Sequence, residues 1–295
     1  MNTPSVQTTP LTTHDPAKEA MPSATAPSTP QPVAAPADAT TAPKDRFAPR
    51  PVSFTRLVRV ELRKALDTRA GQGLLVAIAL LSALSLGLVL WFSREQGAGF
   101  GALLGAVAVP QGVLLPVLGI LTACSEWSQR TALVTFTQEP RRLRVMAAKS
   151  VAAVLIGLGV LALTIAVSAG AHVLSAGLAD TPVSVDLGAA RLVNLTLLQT
   201  ANVLLGVAFG ALFLNTPAAV VAFFLIPSIL PIALTFVPFL REHAPWFDMD
   251  VFAVELAGGE WLTRQDWLHL ASNLGIWLVL PLVVGLIRVS RKEIG

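Results

Sequence analysis

Five runs of residues contain no Asp, Glu, Lys or Arg: 70–93, 96–125, 150–179, 192–240 and 268–287. An uncharged apolar stretch of about 18 residues or more is long enough to cross a bilayer as a helix. The run 192–240 is too long for one such helix, and Asn215, Thr216 and Pro217 supply a break inside it. The pattern therefore predicts six spans, near 73–92, 101–124, 150–173, 192–214, 218–237 and 269–287. Pro110 and Pro116 fall within the second span, where neighbouring helices can satisfy the carbonyls they free. Ahead of the first span, Phe54, Leu57, Val58, Leu62, Ala65 and Leu66 recur at three- and four-residue intervals. Arg56, Arg59, Arg63 and Lys64 fall largely elsewhere on that wheel. This predicts an amphipathic helix over 53–69 lying in the membrane interface, its apolar face at the acyl boundary.

Residues 1–50 break from this pattern. Eleven of the 21 prolines lie at or before Pro51, among Thr, Ala and Ser. Such a segment buries too little apolar area to offset its ordering entropy and reads as a disordered tail. It has no apolar core before a small-residue cleavage site, so a secretory signal is not expected. The expected fold class is an all-α polytopic membrane protein with six transmembrane helices, an interfacial helix and a disordered N-terminal tail.

Composition sharpens this reading. Apolar residues make up 54% of the 295, charged residues only 13%, and the mean hydropathy is +0.66. Soluble chains carry about 25% charged residues. The net charge of +3 could suggest nucleic acid, yet the basic residues flank the spans, where lipid headgroups are the natural partner. Sixteen Lys or Arg lie in the N-terminal flank, the 125–149 connection and the tail after Ile287, whereas the opposite loops hold only Arg94, Arg191, Arg241 and Arg264. By the positive-inside rule both termini of this multi-pass chain are expected on the cytoplasmic side of the membrane.

Candidate chemistry is sparse. None of the five lysines sits in a GxxxxGK[ST] loop, so the chain is not expected to hydrolyse ATP by that route. The predicted spans hold no Asp, Glu, Lys or Arg that could carry protons. Ser82, Ser85 and Ser168 lack a GxSxG setting, and paired carboxylates within the predicted spans are missing, so an enzyme is not expected. A single cysteine, Cys124, excludes an intrachain disulfide, and no metal or cofactor is expected. Gln111, Gln199 and Asn202 are polar positions within spans; they could line a translocation path, although interhelical hydrogen bonding is the weightier reading. Gly206 and Gly210 have the small-residue spacing of a close helix approach, within one chain or at a dimer seam, as do Gly97, Gly101 and Gly105.

The connection 126–149 is far longer than an inert helix connection. Pro140 can open a helix that runs on into the third span, and Thr135, Phe136 and Thr137 read as the corner before it. Exposed Arg and Thr around Phe136 suggest a docking knob. Glu61, Lys64 and Arg69, together with Glu126, Arg130, Thr131, Thr137, Pro140, Arg142 and the Ala147, Ala148, Lys149 run, resemble two windows of the type-2 ABC exporter (ABC-2) permeases. The resemblance implies a permease subunit, multi-pass in the plasma membrane of a bacterial cell, that forms the translocation path and carries no ATPase. It would pair with a second permease copy and couple to separate ATP-binding-cassette ATPase subunits through Glu61, Lys64, Glu126, Arg130, Thr131, Phe136, Pro140, Arg142 and Arg144. It further implies that 246–267 corresponds to the short external helices of such exporters. A non-transporting membrane scaffold is the alternative.

Overall fold

The computed structural model describes residues 52–292, and the tail expected at 1–50 lies outside them. All regular structure among the described residues is helical. A short helix α1 (Phe54–Asp67) leads into α2 (Arg69–Phe92), α3 (Phe100–Ser128) and the small α4 (Ala132–Gln138). Then come α5 (Arg142–Leu178), α6 (Ala189–Phe213), α7 (Thr216–Phe236), α8 (Pro238–Glu242) and α9 (Met249–Ala257). The last two are α10 (Arg264–Leu274) and α11 (Leu280–Arg291), joined by a π-helical turn over Gly275–Val279.

Six segments are long and apolar enough to span a membrane: α2, α3, α5, α6, Thr216–Leu234 of α7, and Arg264–Arg291, which combines α10 and α11. Each overlaps one predicted span over most of its length, so the six-span all-α architecture holds. The break expected at Asn215 is present and has a local cause. Leu214 takes a left-handed conformation (φ 52°), and the Asn215 side chain accepts a hydrogen bond from Ala218 N at 3.0 Å to cap α7. An N-cap Asn followed by a proline in the first turn starts a helix by satisfying and sparing its free N–H groups.

Thr68 ends α1 and caps α2, its hydroxyl accepting from Gly71 N at 3.2 Å. The expected interfacial helix therefore exists as a separate element. Its apolar face differs from expectation, because Leu57, Leu62 and Ala65 pack on the helical bundle, leaving Phe54 and Leu66 exposed. Arg56, Arg59 and Arg63 are exposed. The helix is thus docked on protein through part of the face expected to meet lipid.

The core lies between α3 and α6. Their approach is set by glycines: a Cβ at Gly206 would overlap the backbone of Pro116, and one at Gly119 would overlap that of Val203. Gly206 and Gly210 therefore serve packing within this chain. The Gly97, Gly101 and Gly105 series makes no comparable seam; Gly97 precedes α3 with φ +75°, and Gly105 has open space around its Cβ position. Around the α3–α6 seam, Leu115, Leu118, Val203 and Val207 are fully buried with Met146 and Ala153 of α5. By contrast, α2 and α7 present large apolar side chains outward, among them Leu80, Leu84, Val221 and Ile232.

The chain's two ends of the bundle differ in chemistry. At one end gather α1, the α3–α4–α5 connection, the start of α7 and the end of α11. At the other, His172 is held between two backbone groups, with Nδ1 2.8 Å from Ala98 O and Nε2 accepting from Ser184 N at 3.1 Å. Because Nε2 accepts, the proton sits on Nδ1 and is donated to the Ala98 carbonyl.

Candidate functional site

The basic end of the bundle contains a buried ionic quartet. Glu61 of α1, Glu126 at the end of α3 and Lys149 of α5 are each at most 3% exposed, and Lys64 of α1 is half-buried beside them. Lys149 Nζ lies 2.7 Å from Glu61 Oε2, 2.8 Å from Glu126 Oε2 and 2.8 Å from Ser125 Oγ. An ammonium has three protons to donate, and all three find oxygens here. Lys64 Nζ takes the other two carboxylate oxygens, Glu61 Oε1 at 2.8 Å and Glu126 Oε1 at 3.2 Å. Burial works against the Lys64 charge, but Glu61 and then Glu126 outweigh it and hold its pKa above the ordinary lysine range.

Local sequence explains part of this arrangement. Glu61 and Lys64 lie one turn apart on α1, so they share a face. Burying charge is costly unless every ion is paired and hydrogen-bonded, and this quartet meets that condition with no net charge. The predicted spans themselves hold no Asp, Glu, Lys or Arg. Helices α3 and α5 run beyond those spans, so Glu126 and Lys149 belong to the spanning helices themselves.

A cleft of about 530 Å³ opens beside the quartet, between α1 and α4, with Arg56, Val60, Lys64, Thr131, Val134 and Gln138 on its walls. The corner expected at 135–137 is instead helix α4. The chain turns before it at Arg130, which has φ 57°, and after it at Glu139–Arg141, so α5 starts at Arg142 rather than Pro140.

The expected docking knob is correspondingly reversed. Phe136 is buried, with its ring centroid 5.9 Å from that of Trp127 and the Arg142 guanidinium 5.2 Å from its own. The exposed apolar residues of α4 are Leu133 and Val134, at 60% and 57%. Arg142 is also turned inward, donating to the carbonyls of Val289 (3.0 Å) and Lys292 (2.6 Å) at the end of α11. Arg144 pairs with Glu139 at 2.9 Å. Of the residues assigned to partner coupling, Glu61, Lys64, Glu126, Phe136, Arg142 and Arg144 are thus engaged within the chain. Arg130, Thr131 and Pro140 are exposed, and Lys64 is partly so. Lys149, the centre of the quartet, carries no assigned role in the sequence reading beyond its place in the resembling run. With Phe136 seated this way, Phe136→Ala should loosen α4 without preventing membrane insertion. Limited proteolysis should then cut within 132–138 faster than in the parent chain.

The amides expected as path lining are also used internally. Gln111 Nε2 donates to Thr164 Oγ1 at 2.6 Å, joining α3 to α5, and Gln199 Nε2 donates to Gly157 O at 3.2 Å, joining α6 to α5. Both are buried, which is the packing reading of these residues. Asn202 is half-buried on α6.

Fold and site together define an all-α, multi-pass membrane protein whose basic end is organised by a buried ion network. No protein-family model matches the chain, and no curated protein matches it.

Proposed function

We propose that this chain is the membrane-spanning permease subunit of an ATP-binding-cassette exporter. In this reading it forms the translocation path with a second permease copy and is driven by separate ATPase subunits. The observation that carries the reading is the quartet. Glu61 and Lys64 come from one window of the ABC-2 resemblance, Glu126 and Lys149 from the other, and the two windows converge on one set of ion pairs. Such a cluster makes α1, α3 and α5 move as one body, which suits an element that receives force from a partner. The cleft beside it, bordered by Val134 and by the exposed Arg56, offers that partner an apolar wall with a basic rim. The lack of a phosphate-binding loop fits an energy source on another chain.

The partner contact is assigned to Leu133 and Val134 rather than to Phe136. Tagged chain purified from native membranes should bring down an ATP-binding-cassette subunit. Val134→Asp should reduce that recovery at unchanged membrane levels, because losing a buried interface anchor commonly costs about 2 kcal/mol or more, roughly a 30-fold change in affinity. Recovery of the chain free of any ATPase, or proton-driven flux through the chain alone, would overturn the reading.

The proposal also places both termini in the cytoplasm on the strength of the Lys and Arg asymmetry, and the membrane in a bacterial cell as the ABC-2 resemblance implies. Cysteines placed at the exposed positions Glu95 and Thr137 report on opposite ends of the bundle, and the native Cys124 is buried and silent. An impermeant maleimide should label the Glu95 variant in intact cells and the Thr137 variant only after permeabilisation. The reverse pattern would invert the orientation.

A further inference from the structure

Away from the basic end, the segment after the fifth span folds back on the bundle through α8, a turn at Ala244–Trp246 and α9, and leads into α10, the start of the sixth. Here Glu255 of α9 meets Asp266 and His269 of α10, and one ligand-type atom from each lies within 4.8 Å of the others. Asp266 and His269 are three residues apart on a helix, so they share a face by construction. Asp266 is held at the mouth of α10 by a capping box in which its Oδ2 accepts from Thr263 N at 2.7 Å. His269 is 6% exposed. Its Nδ1 is buried without a hydrogen bond, 3.7 Å from Glu255 Oε1. Trp246 packs edge-on against the imidazole at 4.8 Å between centroids and limits its rotation.

We propose that Glu255, Asp266 and His269 form a binding site for a divalent transition-metal cation of the zinc type. An unpartnered, buried imidazole nitrogen is costly unless something accepts its lone pair or its proton. An ion pair with Glu255 alone leaves this cluster short of positive charge, since two carboxylates face one imidazole. A bound divalent ion supplies the missing charge and takes the free Nδ1.

The donor set selects the ion. Imidazole with carboxylates suits borderline metals such as Zn²⁺, whereas Ca²⁺ and Mg²⁺ prefer all-oxygen shells. Donors bonded at about 2.0–2.2 Å in a tetrahedral shell stand roughly 3.4 Å apart. The His269–Glu255 pair, at 3.7 Å, is already near that spacing, and the widest separation, within 4.8 Å, needs to close by up to about 1.4 Å. The ion would tie α9 to α10 and leave a fourth position for water. This site lies far in sequence from the quartet and does not depend on the permease reading.

The test uses the full chain purified in detergent, its tag removed and its metal stripped by a chelator, titrated with Zn²⁺ by calorimetry. One ion per chain should bind. Glu255→Gln and Asp266→Asn should each weaken binding at least tenfold, His269→Ala should abolish it, and millimolar Mg²⁺ should not displace the ion. Trp246 emission should change on addition of Zn²⁺ to the parent chain and not to Glu255→Gln. If His269→Ala misfolds, the two carboxylate variants decide. Zn²⁺ binding that is absent, or that survives unchanged in both carboxylate variants because it resides on His14 or His243, overturns the proposal.

Discussion

Lys149→Met should be among the most damaging single substitutions in this protein. It removes the ammonium that joins Glu61 Oε2, Glu126 Oε2 and Ser125 Oγ, while keeping side-chain volume. Two buried carboxylates then face each other with only the half-buried Lys64 between them. Breaking a buried ion pair from one side typically costs about 3–5 kcal/mol, because the stranded charge keeps its desolvation penalty. The measurable result is a lower thermal-unfolding temperature in detergent together with early protease cleavage near α1. Combining Lys149→Met with Glu126→Gln should recover much of the loss, since Glu61 then stays paired with Lys64 and no net charge is left over. If Lys149→Met matches the parent in both assays, the quartet does not hold α1 to the bundle.

Gly206→Leu should rival it, by a steric route. Even a single Cβ at this position meets the Pro116 carbonyl and its neighbouring backbone atoms, which cannot rotate away. Overpacking a core commonly costs about 1–3 kcal/mol when side chains can shift, and more where backbone blocks the way. Helices α3 and α6 would have to separate, exposing Leu118, Val203 and Val207. The variant should accumulate poorly in membranes and lose its cooperative melt. Gly105→Leu, where the Cβ position meets nothing within 4 Å, is the matched control and should fold normally. Equal accumulation of the two variants would show that the α3–α6 seam is not as close as described.

The features that were legible in the sequence are those with local causes. The six spans follow from charge-free length, and the split between α6 and α7 from the capping chemistry of Asn215 with Pro217 behind it. The helical face of α1 was legible as well, but not what it would meet, because periodicity records that a side is apolar and not whether lipid or protein covers it. Phe136 illustrates the same limit. Its burial depends on Trp127, Val145 and Leu57, which come from three other elements. The candidate site was half legible: Glu61, Lys64 and Glu126 stood out through the resemblance, yet their joining through Lys149 depends on a pairing with Glu61 across 88 residues. Similarly, Asp266 and His269 form a pair that spacing reveals, whereas Glu255 reaches them only through the fold of the segment after α7.

The inward turn of Arg142 has a consequence for how the chain is made. Synthesis runs from the N-terminus, so Arg142 emerges long before Val289 and Lys292, the carbonyls that hold it. Until the last helix is in place, the start of α5 lacks these partners, and the cation that covers the Phe136 ring is not yet fixed. Arg288, which donates to Leu212 O at 2.9 Å, closes α11 onto α6 at the same late moment. The quartet residues are all present by Lys149, so the ion cluster can form early while its surroundings wait for the final turn of α11. A nascent chain stopped before Arg288 would therefore carry an assembled charge network on an unfinished scaffold, leaving the α4–α5 connection open to quality-control proteases until translation is nearly complete.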